Sequence, residues 1–308
     1  MKIFLAGHNG MVGSAIGRKL NGEFIKADKS DLDLQRQSDV EAFFEKNKPE
    51  VVIMAAAKVG GIYSNNKYRA EFIYNNIQIQ NNIIHTSYLY GVKKLLFLGS
   101  SCIYPKRCKQ PMKEEQLLTS RLEYTNEPYA IAKISGIKMC ESYYKQYGCN
   151  FISVMPTNLY GVNDNFDLEN SHVIPALIRK FHEAKVNNKP YVQIWGTGKA
   201  KREFMYVDDM ADACLFVLKN VDASDLFGSG ISHLNIGTGI DLSILKLAEI
   251  IANTIGYKGN IEFEVDKPDG HPRKLLDISR LTKLGYKAKI DLYEGIHLTY
   301  QDYLKKIK

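Results

Sequence analysis

Several features that mark particular protein classes are missing from this chain of 308 residues. Its five cysteines are an odd number, lie apart and form no CxxC pair, so neither a disulfide framework nor a zinc site is expected. Basic residues outnumber acidic ones by 41 to 34, but no long basic run and no aromatic-interleaved basic stripe occurs. Nucleic acid is therefore not an expected partner, and an anionic small ligand explains the positive charge as well.

Long apolar runs are missing too. Residues 1–10 hold one lysine followed by four apolar residues, far short of a signal-peptide core. No later stretch approaches the roughly 18 apolar residues that a membrane helix requires. We therefore expect a protein of the cytoplasm that does not enter a membrane. The hydrophobic content of 45% and the charged content of 24% are ordinary for a globular protein.

Short apolar runs alternate with helical patterns in the first half. The predicted strands share a continuous apolar character and cover residues 2–6, 51–55, 94–98 and 151–155. Helices are predicted after Gly13, over 129–147 with Gly148 as its C-terminal cap, and over 173–184. Continuous apolar strands between helices predict an α/β fold with a doubly wound parallel sheet.

The pattern becomes less regular from about residue 165. A strand is predicted near 192–194, a helix from Asp208 or Asp209 onward, and a further helix with Ser243 as its N-cap. We divide the chain into a dinucleotide-binding domain over 1–165 and a smaller substrate domain mainly over 166–308. Some segments of the second part are expected to return to the first.

A GxxGxxG loop at Gly7, Gly10 and Gly13 lies between the first strand and the first helix. The first glycine permits a tight turn, the second lets the backbone approach a pyrophosphate, and the third lets helix and strand pack closely. The helix N-terminus attracts the anion. This loop predicts a dinucleotide site, in which His8 positions the loop and holds no metal.

The segment that would meet the adenosine ribose, residues 26–31, carries charges of both signs. An acidic residue there would hold a free 2′-hydroxyl, whereas Lys26 or Lys29 would neutralise a 2′-phosphate. We favour NADPH and leave NAD open.

A tyrosine four residues before a lysine on a helix shares one face with it, so that the ammonium can lower the phenol's pKa. The spacing occurs three times, at Tyr63/Lys67, Tyr90/Lys94 and Tyr129/Lys133. Only the third pair opens an amphipathic helix, and it follows Ser100, which lies at the carboxyl end of a predicted strand, where open α/β sheets bind ligands. Ser100, Tyr129 and Lys133 are therefore the candidate groups for a carbonyl reduction.

Longer motifs resemble the extended short-chain dehydrogenase/reductases and, within them, the GDP-L-fucose synthase family. They are GHNGMVGSAI (7–16), AAAKVGGI (55–62), LGSSCIYPK (98–106), EPYAIAK (127–133), MPTNLYG (155–161), NSHVIPALIRKFHEAK (170–185), WGTGKAKREFMYVDDMADA (195–213) and KPDGHPRKLLD (267–277). The resemblance spans nearly the whole chain. It implies a Rossmann domain, a smaller domain for a GDP-sugar, NADPH as cofactor and a homodimer.

The resemblance also implies two stages of chemistry on a GDP-4-keto-6-deoxy sugar. Cys102 and His172 match the acid and base that invert C3 and C5, and Ser100, Tyr129 and Lys133 match the groups that reduce C4. The implied substrate contacts are Ser100, Ser101, Cys102, Asn158, Lys180, Trp195, Arg202 and Asp269. The implied cofactor contacts are Gly7, Asn9, Gly10, Met11, Val12, Gly13, Lys29, Asp31, Leu32, Ala55, Ala56, Ala57, Leu98, Gly99, Tyr129, Lys133, Pro156, Thr157, Asn158, Leu159 and His172.

Comparison with the family pattern also shows departures. Ser101 and Cys102 stand where the related 4,6-dehydratases carry an acidic pair, so dehydration is not expected. The family's phosphate loop often has arginine where this chain has Asn9, although Lys29 matches a second basic position. Val162, Ala200–Lys201 and His271 also differ from the usual residues.

These departures leave three alternatives beside the leading interpretation. The first is a C4 reductase without epimerase activity that acts on a GDP-4-keto-heptose. The second is a 4-epimerase that retains NAD, because it would use the same serine, tyrosine and lysine. The third is a dinucleotide sensor without catalysis, which the joint presence of Ser100, Tyr129 and Lys133 disfavours.

Overall fold

The structure is a computed structural model that describes residues 1–168, 170–267 and 270–307. Its strands are β1 (Ile3–Ala6), β2 (Val51–Met54), β3 (Lys94–Leu98), β4 (Phe151–Pro156), β5 (Asn158–Tyr160), β6 (Tyr191–Trp195), β7 (Lys201–Tyr206), β8 (Leu234–Ile236), β9 (Asp241–Ser243), β10 (Asn260–Glu264) and β11 (Arg273–Lys274). Its helices are α1 (Met11–Lys19), α2 (Gln37–Asn47), α3 (Ile62–Lys67), α4 (Arg69–Leu89), α5 (Glu127–Tyr147), α6 (Val173–Val186), α7 (Val207–Asn220), α8 (Ala223–Gly228), α9 (Ile244–Ile255), α10 (Ser279–Lys283) and α11 (Leu292–Lys306).

The larger part of the molecule is built on a five-stranded sheet in the order β1-β2-β3-β4-β8. All its neighbouring strands pair in parallel. Alternate residues enter two separate apolar cores: Leu5 and Ile53 belong to one, and Phe4 and Val52 belong to the other. Because successive side chains of a strand point to opposite faces, both faces of the sheet are covered. The predicted α/β fold with a doubly wound parallel sheet is confirmed.

Two helices begin earlier than predicted, and both carry site residues. Helix α1 begins at Met11, so Gly13 lies inside its first turn. Helix α5 begins at Glu127, because Pro128 fits the first helical turn, where its missing N–H costs no hydrogen bond. Tyr129 consequently lies in the first turn of α5 and not at its first residue. Gly148 caps this helix at φ +70°, as predicted.

The second lobe packs around its own apolar core, which includes Phe181, Ile194 and Ile251. Strand β7 lies between β11 and β5 and also pairs with β9, whereas β6 and β10 form a separate parallel pair. Ser243 caps α9 by accepting a hydrogen bond from the Lys246 N–H, at 3.1 Å, as predicted.

The lobes are interleaved along the chain. Strand β8 pairs with β4, and α7 packs against α1. Both therefore lie with the larger sheet although they come late in sequence. In the described part of the chain, no helix combines the length and the apolar character that crossing a membrane requires.

Candidate active site

The glycine loop after β1 is tightly packed at its two outer glycines and open at its middle one. A Cβ on Gly7, whose φ is +87°, would lie 2.6 Å from the Ala56 nitrogen, and one on Gly13 would lie 2.0 Å from the Gly7 oxygen. A Cβ on Gly10 would meet only the Gly7 oxygen, at an ordinary 3.5 Å. The outer glycines therefore close the loop against neighbouring backbone, and the exposed middle one leaves space for a ligand at the N-terminus of α1.

The serine and cysteine of the site lie directly after β3. Gly99 donates its N–H to the Val154 oxygen at 2.8 Å, which extends the sheet by one residue. Ser100 is extended and precedes a short 3-10 turn over residues 101–103. Its hydroxyl accepts a hydrogen bond from the Cys102 N–H at 3.4 Å. This contact keeps the hydroxyl and the thiol at the same carboxyl end of the sheet.

Lys133 projects from α5 to the same end of β3. Its ammonium donates to the Leu98 carbonyl oxygen at 2.8 Å and lies 5.7 Å from the centre of the Tyr129 ring. Only 3% of Lys133 is exposed, and this burial lowers its pKa to about 8. Close approach of α5 to β3 requires a glycine at position 136, because a Cβ there would lie 2.5 Å from the Phe97 ring. The packing of α5 against β3 and the hydrogen bond to the Leu98 carbonyl oxygen therefore hold the Lys133 ammonium near the Tyr129 ring.

Tyr129 differs from expectation in its acidity. Burial raises the pKa of its phenol well above the ordinary range, and the neighbouring Cys102 acts in the same direction. The Tyr129/Lys133 spacing predicts that Lys133 lowers this pKa, but the Lys133 ammonium is directed to the Leu98 carbonyl. The phenol is therefore protonated at neutral pH, which is the form that can give a proton to a substrate oxygen.

Cys102 and His172 come from different lobes and share one positive neighbour, Lys274. Cys102 is 8% exposed, and burial raises the pKa of its thiol, while the charges of Lys274 and Lys133 oppose that rise. His172 precedes α6 as its N-cap residue. His172 is exposed at the surface of the lobe. Desolvation by the surrounding protein lowers the pKa of its imidazole, and the positive charge of Lys274 acts in the same direction. At neutral pH the pair is a thiol that can give a proton and an imidazole that can accept one.

Comparison with known proteins places these motifs in a family. Residues 3–237 match the NAD dependent epimerase/dehydratase family. The chain is 55% identical to GDP-L-fucose synthase 1 of Arabidopsis thaliana, over 99% of this chain and 94% of that protein. It is 53% identical to the GDP-L-fucose synthase of Escherichia coli K12, over 99% of this chain and 97% of that protein. The chain belongs to the NAD dependent epimerase/dehydratase family and, within it, to the GDP-L-fucose synthase family.

A solved structure extends the comparison to a different sugar. The GDP-mannoheptose C4 reductase of Campylobacter jejuni, whose structure was determined with NADP bound, is 42% identical to this chain. The two structures superpose with a TM-score of 0.91, and the match covers 98% of each chain. The likeness includes both lobes. This chain therefore resembles both proteins named for GDP-L-fucose and a protein named for GDP-mannoheptose.

Three of the implied substrate contacts of this chain, Lys180, Trp195 and Arg202, lie in the second lobe. Trp195 is 55% exposed, and its ring has the Lys180 and Lys267 ammonium groups at 6.0 and 5.5 Å from a ring centre. Lys180 also donates to the Gln193 oxygen at 3.1 Å. Arg202 lies on β7, and Asp269 lies outside the described residues.

The implied contacts along β4 and β5 connect the two lobes. Thr157 and Asn158 donate side-chain hydrogen bonds to the backbone oxygen of Glu203, at 3.2 and 2.8 Å. Leu32 is 4% exposed and packs in the sheet core, so that only its backbone could meet a cofactor. Asp31 and Lys29 are exposed on the same segment.

Two charged residues were missed by sequence analysis. Lys274 pairs in register with Arg202, which puts both cations on one face of the β7–β11 ladder. Glu203 is fully buried and accepts hydrogen bonds from the backbone N–H groups of Thr238, Gly239 and Leu276. Lys274 stands in the KPDGHPRKLLD motif and could have been selected from it. Nothing local to Glu203 signals its burial.

Proposed function

We propose that this chain uses NADPH to reduce the C4 ketone of a GDP-4-keto-6-deoxy-hexose, after inverting the ring at C3 and C5. The observation that carries the proposal is the meeting of Ser100, Cys102, Tyr129 and Lys133 at the carboxyl end of β3, at the same edge of the parallel sheet as the glycine loop that follows β1. The identity of 55% to a GDP-L-fucose synthase supports the choice of sugar. The NADP in the Campylobacter jejuni reductase supports the choice of cofactor.

The residues of the cofactor site fit a dinucleotide. Backbone at Gly10 and the N-terminus of α1 would hold its pyrophosphate, since Gly10 is exposed and a Cβ there would make only one ordinary contact, with the Gly7 oxygen at 3.5 Å. Lys133 would hold the nicotinamide ribose. When bound, NADPH supplies the hydride that C4 of the sugar receives.

For the reduction, Tyr129 gives its phenolic proton to the C4 oxygen. Its raised pKa keeps that proton in place until charge develops on the oxygen. Ser100 donates a hydrogen bond to the same oxygen and so orients the ketone. The Lys133 ammonium, 5.7 Å from the Tyr129 ring centre, would position the nicotinamide ribose beside the phenol.

For the inversion, Cys102 and His172 act on ring carbons next to the ketone. The C4 carbonyl acidifies the protons on C3 and C5, so a group on one side of the ring removes a proton and a group on the other side returns one. The two residues come from opposite lobes, which suits access to both faces. The charge of Lys274 acts on both of them: it opposes the rise that burial causes in the pKa of Cys102, and it adds to the lowering of the pKa of His172.

The second lobe supplies the binding surface for the nucleotide diphosphate. The exposed face of Trp195 would stack against the base, and the guanidinium of Arg202 would take a phosphate through its planar fork. His271, Lys274 and Arg202 lie close enough for the two cations to contribute to lowering the pKa of His271, which burial together with these charges brings to about 4. This positive field fits an anionic ligand and accounts for part of the excess of basic residues.

A second candidate is reduction of a GDP-4-keto-heptose without inversion. It is favoured by the heptose reductase of Campylobacter jejuni at a TM-score of 0.91 and by the departures at positions 200, 201 and 271. Because His271 faces the same cations as the diphosphate site, a change there can alter how the sugar is placed. The two candidates differ in substrate and in the need for Cys102.

The deciding experiment measures NADPH oxidation and deuterium uptake from solvent over a panel of GDP-4-keto-hexoses and GDP-4-keto-heptoses. We expect turnover of the 6-deoxy-hexose with deuterium at C3 and C5. Cys102→Ser should suppress the deuterium uptake, whereas Cys149→Ser, a half-buried thiol outside the site, should not. Turnover of heptoses alone without deuterium uptake would favour the second candidate, and undiminished uptake in Cys102→Ser would remove the thiol from the mechanism.

We also propose a homodimer that works in the cytoplasm. Helices α4 and α5 pack side by side and expose large apolar side chains, namely Tyr74 (60%), Leu89 (51%), Ile131 (41%) and Tyr147 (48%). Two such pairs would form a four-helix bundle across the interface. A reducing compartment suits five free cysteines. Light scattering should give a mass of two chains, and Ile131→Asp should shift it to one.

A further inference from the structure

A carboxylate reaches the phosphate loop at the adenosine end of the cofactor site. The side-chain amide of Asn9 donates a hydrogen bond to Asp28 Oδ1 at 2.6 Å. His8 Nε2 lies 3.4 Å from the same oxygen. Asp28 remains 59% exposed in its side chain, so the carboxylate is anchored to the loop and still open to a ligand.

The position of Asp28 in the fold is that of a ribose-binding residue. Ile25 forms a parallel bridge with Phe4, donates its N–H to the Ile3 oxygen at 2.7 Å and accepts a hydrogen bond from the Leu5 N–H at 3.1 Å. The segment therefore runs beside β1 as a short edge strand, and Asp28 follows its carboxyl end. In dinucleotide-binding sheets an acidic residue at this place accepts a hydrogen bond from the ribose 2′-hydroxyl.

The charges around this position oppose each other. Lys29 is exposed and, over residues 1–168, 170–267 and 270–307, makes no hydrogen bond or ion pair. Asp28 meets an uncharged amide and an imidazole, and no arginine stands at position 9 to form a fork around a phosphate. A 2′-phosphate would thus meet one cation and one anion on adjacent residues.

We propose that Asp28 makes this chain bind NADH as well as NADPH, by accepting the 2′-hydroxyl of NADH and repelling the 2′-phosphate of NADPH, which Lys29 attracts. The inference rests on the proposed function, since it assumes that the glycine loop holds a nicotinamide dinucleotide. Asn9 has a positioning role: its backbone oxygen accepts a hydrogen bond from Asn163 Nδ2 at 2.9 Å, and its side chain holds Asp28. Asn9 therefore links the glycine loop to Asn163 through its backbone and to Asp28 through its side chain.

The test is calorimetric titration of the full chain with NADH and with NADPH, in the absence of any sugar nucleotide. We expect the two dissociation constants of the natural chain to lie within about tenfold of each other. Asp28→Asn keeps an oxygen for the Asn9 amide and removes the charge, so NADPH should bind about tenfold more tightly and NADH several-fold more weakly. Glu45→Gln, an equal change of charge at an exposed position on α2, should leave both constants unchanged.

Asn9→Arg provides an independent variant. An arginine there would pair with the 2′-phosphate and compete for Asp28, so NADPH should bind more tightly while NADH loses affinity. Binding of NADPH without measurable binding of NADH would overturn the inference and leave the proposed function in place. Equal constants in the natural chain and in Asp28→Asn would also overturn it. Failure of both dinucleotides to bind would overturn the inference and the proposed function together.

Discussion

The two ends of the proposed cofactor site differ in how far they are removed from water. At the nicotinamide end, Lys133 is 3% and Cys102 is 8% exposed, and burial is the largest cause of the shifted pKa values of both. At the adenosine end, the Asp28 side chain is 59% exposed and Lys29 is exposed. Charges interact strongly where water is excluded and weakly where it screens them. Substitutions at the buried end should therefore change rates by orders of magnitude, and those at the exposed end should adjust affinity.

The largest effect is expected at Tyr129. Tyr129→Phe removes the proton donor and leaves the ring packed against Phe72, with centroids 6.2 Å apart. Loss of a general acid lowers rates by about 10²- to 10⁴-fold. Stopped-flow measurement of NADPH oxidation should show this fall with the NADPH dissociation constant preserved.

Tyr293→Phe is the matched control, because its ring is 59% exposed on α11 and it is not one of the proposed site residues. It should keep the natural rate and the natural melting temperature. A Tyr129→Phe variant that turns over at the natural rate would show that another group gives the proton. The contrast between the two ends would then lose its main support.

The next effect is a dependence of NADPH binding on pH. Burial lowers the pKa of Lys133 to about 8, so the ammonium form predominates below pH 8 and is lost as the pH rises through that value. Affinity for NADPH should fall accordingly, because the neutral amine no longer makes a charge-assisted hydrogen bond to the ribose. Calorimetric titrations from pH 6.5 to 9.5 measure it.

Lys133→Met serves as the reference for this pH dependence, since it carries no charge at any pH. At pH 7 it should bind NADPH about 10- to 100-fold more weakly, the range of a hydrogen bond to a charged group. Its affinity should then vary little between pH 6.5 and 9.5. An equal fall with pH in the variant would assign the dependence to a different group.

The Tyr129/Lys133 pair and the glycine loop could be predicted from the residues themselves because their signals are local, whereas Cys102 was indicated only by the family resemblance. The Tyr129/Lys133 spacing puts both residues on one face of α5, and the three glycines of the loop have steric reasons that the structure bears out at Gly7 and Gly13. These features depend only on residues that lie close together in the sequence. Context along the chain then rejected the other two tyrosine–lysine pairs.

The charged groups of the second lobe could not be reached in the same way. Lys274 acquires its place through pairing of the two-residue strand β11 with β7, across more than 70 residues of sequence. The burial of Glu203 depends on backbone N–H groups from Thr238, Gly239 and Leu276, which come together only in the folded chain. Pairing between residues so far apart produces no periodic pattern along the sequence from which it could be predicted.

A smaller effect is expected at the exposed aromatic of the substrate lobe. Trp195→Ala removes a ring that is 55% exposed, so the fold loses little and the base loses its stacking partner. We expect KM for the GDP-sugar to rise about tenfold, in line with 1–3 kcal/mol for stacking of a base on an aromatic side chain. Steady-state kinetics should show kcat within about twofold of the natural value. Trp195→Phe, which keeps a flat ring, should recover most of the affinity, and a loss equal to that of alanine would argue against stacking.

The smallest effect belongs to Lys29, where solvent screens the charge. Lys29→Gln should weaken NADPH binding by only about two- to fivefold, the range of exposed ion pairs, and should leave NADH unchanged. Because the Debye length shrinks from about 10 Å at 0.1 M salt to about 3 Å at 1 M, the difference from the natural chain should disappear at high salt. A loss of a hundredfold, or one that persists at 1 M salt, would mean that the adenosine end closes over its ligand and excludes water. The two ends of the site would then share the same electrostatics, and the contrast between them would hold only for the unliganded protein.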